Sequence, residues 1–380
     1  VKKREGFTLV ELLIGSSIML VIIFGALSMF VKSNKISVDH QQLAEVQHDV
    51  RSAMYFVSRD VRSAGVGLLP EIAGYFLEGT DGHGPNPESP DSIKLMGNYD
   101  DQLNLRIEDY QGASATAFLY PWEIEHNPYD CPDYYENKIY IIIATKSECS
   151  GCFALRFIPE NQMHGCGGGA VHFNFPPGQS ELNPPGGLTD TNCGSDCWDE
   201  AIVTICQIKQ YWLDTTGNPA DYSDLNLTVG QDGYLGIANT LYLTTTDEIG
   251  GIMHLPLAQN IESLQFQYNG DLDDDGNLDG FIDWDNNNWT INPGDDAATK
   301  EAKLEIIARI RQVKIWVLGR TERPFVSVSG TPSTSIHHYR RPAVANSSPA
   351  AQDDKHRRFL LESTANIRNM SLRIYNDGTR

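Results

Sequence analysis

An α+β chain, one long N-terminal α-helix packed on a β-rich globular head, is the fold class this 380-residue sequence predicts. Three observations carry it. An apolar run extends almost unbroken from Phe7 to Val31. Helical periodicity then continues to Ala64 without a glycine or proline, and the rest of the chain alternates strand-like segments with loops rich in Gly, Pro, Asn and Asp.

The segment 7–31 is long enough to cross a bilayer, which takes roughly 20 apolar residues, and Lys2, Lys3 and Arg4 hold its start on the cytoplasmic side. Beyond it, Ile36, Leu43, Val46, Val50, Ala53, Val57 and Val61 recur at helical spacings with polar residues between them. One helix is therefore expected over 7–64, its second half (32–64) amphipathic and laid on the head. Gly65, Gly67 and Pro70 stop it. A short coiled coil suits the same repeat.

In the head (65–380), Lys138 to Thr145, Ala201 to Leu213, Thr240 to Thr246 and Val313 to Leu318 read as strands, and Leu264 to Tyr268 alternates as a half-buried strand does. Thr299 to Ile307 is open between a helical turn or two and irregular chain. Gly79 to Pro90, Gly165 to Pro185 and Gly330 to Asp354 read as surface loops on one β scaffold. A central Cys-rich insertion is placed at about 111–235.

The formal net charge is −21, and removing the net +2 of Lys2, Lys3, Arg4 and Glu5 leaves −23. Such a surface argues against binding the phosphate backbone of nucleic acids and favours cations. The sequence has no P-loop, G-x-S-x-G, H-E-x-x-H or Rossmann fingerprint, so no enzymatic activity is expected.

The junction Lys2-Lys3-Arg4-Glu5-Gly6 / Phe7-Thr8-Leu9-Val10-Glu11 narrows the reading. A Sec signal peptide would end in a small-residue cleavage site, and none closes this apolar run. A plain membrane anchor gains nothing from Glu11, because an unpaired carboxylate in hydrocarbon costs on the order of 2.5 kcal/mol or more. The junction resembles the leader of type IV prepilins. That resemblance implies a leader at 1–6 removed after Gly6 by a prepilin peptidase, N-methylation of Phe7, and pairing of Glu11 with the N-terminal amine of a neighbouring subunit. It also implies a pilin-like fold, a single inner-membrane pass with the head in the periplasm, and later residence in a filament.

Four further segments resemble the PilW-type minor pilins and their J-type pseudopilin counterparts in type II secretion. They are Val50 to Gly65, Leu255 to Tyr268 running into an aspartate-rich turn, Ile310 to Thr321, and Arg357 to Asn369, which resembles the closing strand and Arg-Asn ending of that family. The resemblance implies a minor pilin that primes and caps a type IV pilus, supporting motility, adhesion and DNA uptake, with other minor pilins and the major pilin as partners. A J-type pseudopilin and a pilus-tip adhesin are the alternatives.

Within 271–283, Asp271, Asp273, Asp275, Asn277 and Asp279 place oxygens at positions one, three, five, seven and nine of a calcium-type loop, with Gly276 at the turn. Position twelve is Ile282, and Asp283 is the candidate replacement carboxylate. A Ca2+ site is expected there, against a solvated acidic turn. Seven cysteines, Cys131, Cys149, Cys152, Cys166, Cys193, Cys197 and Cys206, fit disulfides in an oxidising compartment, the odd one free or paired between chains. Zinc at Cys149/Cys152 and Cys193/Cys197 is the alternative. The ten histidines show no ligand spacing and are assigned to the solvated surface.

Overall fold

The structure, a computed structural model, describes residues 8–68, 70–86, 88–99, 104–112, 115–120, 131–146, 149, 152–166, 170–176, 183, 188, 193–246, 252–292, 295–324, 341–349, 354 and 356–369. Helix α1 spans Leu9–Arg62. Two strands, β1 (Leu77–Thr80) and β2 (Ser92–Gly97), begin a first sheet. The chain then leaves to build a second sheet from β3 (Asn104–Gln111), β4 (Thr116–Leu119), β5 (Lys138–Ile143), β6 (Phe153–Ile158), β7 (Met163–His164), β8 (His172–Asn174) and β9 (Ile202–Ile205). It returns through β10 (Gln207–Asp214), β11 (Thr240–Thr246) and β12 (Ile252–Ala258). A third sheet follows from β13 (Ile261–Gly270), β14 (Ile310–Arg320) and β15 (Arg358–Asn366), with helix α2 (Ala297–Ala308) between β13 and β14.

All ladders are antiparallel, in the orders β1-β2-β10-β11-β12, β6-β5-β9-β3-β4-β8-β7 and β13-β14-β15. The excursion that carries the cysteine bridges thus forms its sheet within 104–205, not 111–235. Strand β10 lies centrally in the first sheet, and the loop 215–239 packs its aromatics on that sheet around Trp212.

Strand β5 separates two hydrophobic cores. Its run Lys138-Ile-Tyr-Ile-Ile-Ile143 sends Ile139, Ile141 and Ile143 into the core shared with α1 and the other sheets, and Tyr140 and Ile142 into the core of the second sheet. A period of two with both faces covered gives the continuous apolar run seen in the sequence.

Helix α1 is 54 residues long, roughly 80 Å at 1.5 Å per residue. Its docked stripe is Val46, Val50, Ala53, Met54, Val57 and Val61, set on β14 and β15. The stripe begins later than the sequence periodicity indicates, since Ile36 is 50% exposed. The sheet approaches so closely that a Cβ on Gly319 would lie 2.5 Å from Val50 Cγ2 and 2.8 Å from Val46 Cγ1.

Strand β13 departs from the expected alternation, because Leu264, Gln265, Phe266 and Tyr268 are all buried. One face meets the main core. On the other, Trp316, which stands opposite Gln265, packs with Leu318 and Val344. The segment 299–307 is helical: Asp296 caps α2 by accepting from Thr299 N–H at 2.7 Å, and its Ile307 and Ala308 enter the core.

Candidate functional site

Two regions carry the features singled out in the sequence. Gly6 and Phe7 lie outside the described residues. Thr8 is the N-cap of α1, and Glu11 completes a reciprocal capping box: Thr8 N–H donates to Glu11 Oε2 at 3.0 Å, Thr8 Oγ1 donates to the same oxygen at 2.9 Å, and Glu11 N–H donates to Thr8 Oγ1 at 3.3 Å. Glu11 therefore has a local role within one chain as well as any role between chains. Large apolar side chains from Leu9 to Val31 are exposed, and α1 is long and apolar enough to cross a membrane.

At its other end α1 is fixed to the head by a polar node that periodicity alone does not show. Asp60, 2% exposed, accepts from Tyr211 Oη at 2.6 Å and pairs with Lys209 Nζ at 3.1 Å and Arg59 Nε at 2.8 Å. Burial pushes its carboxyl up, but hydrogen bonds from Arg59 and Tyr211 and the Lys209 charge outweigh this and hold it below the ordinary range. Asn369 Nδ2 donates to Ala64 O at 2.8 Å, so the Arg-Asn ending ties the last strand's exit to the helix terminus.

The acidic loop projects from β13. Asp271, Asp273 and Asp275 each present a carboxylate oxygen, and these atoms lie within 4.8 Å of one another. Backbone N–H groups shape the turn: Gly276 donates to Asp271 Oδ2 at 3.1 Å, Asp275 to Asp273 Oδ1 at 3.2 Å and Asn277 to Asp275 Oδ1 at 2.8 Å. Gly276 has φ +87°, a left-handed conformation that suits glycine. Asp279 closes the loop by accepting from Leu272 N–H at 2.7 Å while its own N–H donates to Gly270 O.

Asp274 faces away and pairs with Arg309 at 3.0 Å. Asp283 is not the replacement carboxylate expected from the sequence. The bridge between Ile282 and Tyr268 sets it beside β13, where its Oδ1 accepts from Gln267 Nε2 at 2.9 Å.

The cysteines pair as Cys131–Cys166, Cys149–Cys197 and Cys152–Cys193, with Cα separations of 5.7, 5.6 and 6.1 Å. The two close pairs are thus cross-linked to each other, which leaves no thiolates for the zinc alternative. Each bridge taken alone limits the unfolded chain by an entropy worth ~4 kcal/mol, and the interlocked loops are not additive. Cys206 is the odd one, free and buried. Burial pushes its thiol up to about 12, so it stays protonated, and its position closes the route to an interchain bridge.

Two family profiles match this chain. The prokaryotic N-terminal methylation motif matches residues 1–27, and the type IV pilus-assembly protein W profile matches residues 228–369. Together the two matches support a PilW-like type IV minor pilin. The matched regions are the start of α1 and the stretch containing β11 to β15, α2 and the acidic loop. The disulfide-bridged second sheet falls outside both.

A solved structure of a type IV-like pilin from Thermus thermophilus is similar at 11% identity over 61% of this chain and 85% of that one. Its TM-score is 0.21, too low to bear on the architecture. No curated protein matches the chain.

Proposed function

We propose that this minor pilin primes assembly of a type IV pilus and caps it, anchored beforehand in the inner membrane by 7–31 with its head in the periplasm. The carrying observation is the division of α1. Its apolar half is exposed among the described residues, while Val46 to Val61 is built into the head's core. A neighbouring helix can therefore cover the bare half without disturbing the head. Two β lobes on one helix make a subunit too bulky to repeat along a filament but acceptable at its tip. Other minor pilins and the major pilin are the proposed partners, and a prepilin peptidase is the proposed processing enzyme at Gly6–Phe7.

The charge on Glu11 gives the test. Glu11→Leu removes both the charge and the capping box, whereas Glu11→Gln removes only the charge, since glutamine serves the same box. Both variants are expected to insert in the membrane, and both are expected to lose co-purification with other minor pilins. Normal pilus numbers and normal co-purification in Glu11→Gln would refute a role for the charge in assembly.

We further propose that the loop 271–279 binds Ca2+ through Asp271, Asp273 and Asp275, with Asn277 and Asp279 completing the oxygen set. Three carboxylates this close repel one another unless a cation lies among them, and a hard cation takes six to eight oxygens. The site would rigidify the exit of β13 next to α2. Calcium at about a hundred times its dissociation constant is expected to stabilise the full chain in detergent by about 2.7 kcal/mol. The double variant Asp271→Ala, Asp275→Ala is expected to lose that gain. Calorimetry with no heat at millimolar calcium and an unchanged melting temperature would leave a solvated acidic turn.

A further inference from the structure

Away from the acidic loop, the second sheet places two histidines face to face. His164 on β7 and His172 on β8 are direct cross-strand partners, and their ring centroids are 5.1 Å apart with planes at 43°. Their strand neighbours Met163 and Phe173 point into the core, so both imidazoles stand on the opposite, outer face; His164 is exposed and His172 half-buried. Phe118 on β4, the partner of His172 on its other side, packs against that ring at 5.1 Å and holds it. Seven residues separate the two histidines along the chain, a spacing with no ligand signature. The register of the β7–β8 ladder brings them together.

The tautomer of His172 is set by its surroundings. Nδ1 lies 3.0 Å from Ala170 O. A carbonyl only accepts, so Nδ1 carries the hydrogen and Nε2 keeps its lone pair. A histidine that donates one ring N–H to a backbone carbonyl is oriented as metal-ligating histidines are, with the basicity of the other nitrogen raised. Two imidazoles sharing one ion at about 2.0–2.1 Å need donor nitrogens roughly 3 Å apart, which rotation of the exposed His164 side chain toward the fixed His172 ring would supply.

We propose that His164 and His172 form a surface site for a divalent transition-metal ion of borderline softness, with His172 Nε2 and one nitrogen of His164 as protein ligands and water completing the shell. Imidazole selects Cu2+, Ni2+ and Zn2+ over Ca2+ and Mg2+, so this site and the acidic loop divide the available cations by chemistry. The six bridged cysteines do not compete for the ion.

Cu2+ is the probe, because it binds tightest in the divalent series and its electron paramagnetic resonance spectrum reports coordinated nitrogen. The full chain in detergent, freed of metal and held in millimolar Ca2+ to occupy carboxylates, is titrated with Cu2+. One equivalent is expected to bind with hyperfine structure from two imidazole nitrogens. His164→Ala and His172→Ala are each expected to weaken binding by at least about tenfold and to lose the two-nitrogen pattern. Both positions face solvent, and equal metal-free melting temperatures will show that the variants fold. Wild-type affinity in both variants, a signal without two nitrogens, or no binding under these conditions would overturn the proposal.

Discussion

A chain beginning at Gly65 is expected not to fold, whereas one beginning at Lys32 is expected to give a soluble, cooperatively unfolding head. Val46, Val50, Ala53, Met54, Val57 and Val61 are 0 to 5% exposed and lie in the same core as β13, β14 and β15. Burying the five larger of these side chains contributes on the order of 10 kcal/mol, at about 1.5–3 kcal/mol each. That equals the whole net stability of an ordinary domain, roughly 5–15 kcal/mol. Gly319, whose bare Cα lies under Val46 and Val50, would become part of an exposed apolar groove. Circular dichroism and thermal unfolding of the two chains decide the matter. A cooperative transition in the chain from Gly65 would show that the helix is an accessory to the head.

Replacing Asp60 with alanine is expected to destabilise the head by about 3–5 kcal/mol, the usual cost of removing one member of a buried ion pair. Lys209, with a side chain 15% exposed, would be left without its carboxylate, and Tyr211 Oη without its acceptor. The pH dependence follows from the direction of the shift. A carboxyl held below its ordinary value contributes stability that is complete above the unfolded-state pKa of about 3.9 and is lost as pH falls through the lower, folded value.

Asp91 has the opposite sign: burial raises its carboxyl well above the ordinary range, although Phe266 and Gly82 N–H groups donate to it. Its contribution is full in acid and is lost as pH rises from the unfolded value toward the folded one. Wild type minus Asp60→Ala therefore isolates the Asp60 component, which is expected to vanish at low pH. Urea unfolding across the acid range measures it. A difference below 1 kcal/mol at neutral pH would make the node incidental.

The parts of this architecture that depend on local pattern are legible in the sequence. The long helix follows from its periodicity and stop residues, β11 from its apolar run, and the turn of the acidic loop from Gly276 between aspartates. Features that depend on chain crossing are not. Ile36 continues the periodicity of the stripe, yet it projects beyond the edge of the sheet and is half exposed.

The disulfide connectivity follows from how Cys149 lies against Cys197 and Cys152 against Cys193, which spacing does not encode. Gln265 looks like a solvent-side residue in an alternating strand, yet it is buried opposite Trp316, which packs with Leu318 and Val344. Asp283, one position past the ligand count, is the candidate replacement in the sequence but is drawn off by the bridge to β13. Asp214 carries no signal in the sequence. It is fully buried, accepting from Thr216 and Gly217 N–H groups and from Tyr234 Oη at 2.7 Å, and it organises the loop 215–239.

We propose that the chain is a prepilin whose first segment is removed so that α1 can enter a filament. Intact mass and N-terminal fragment analysis of the filament-associated protein tests it most directly. The account predicts a chain that begins at N-methylated Phe7, and retention of the uncut form in the inner membrane when Gly6 is replaced by arginine. Filament-associated protein that still carries Val1 to Gly6 would contradict it.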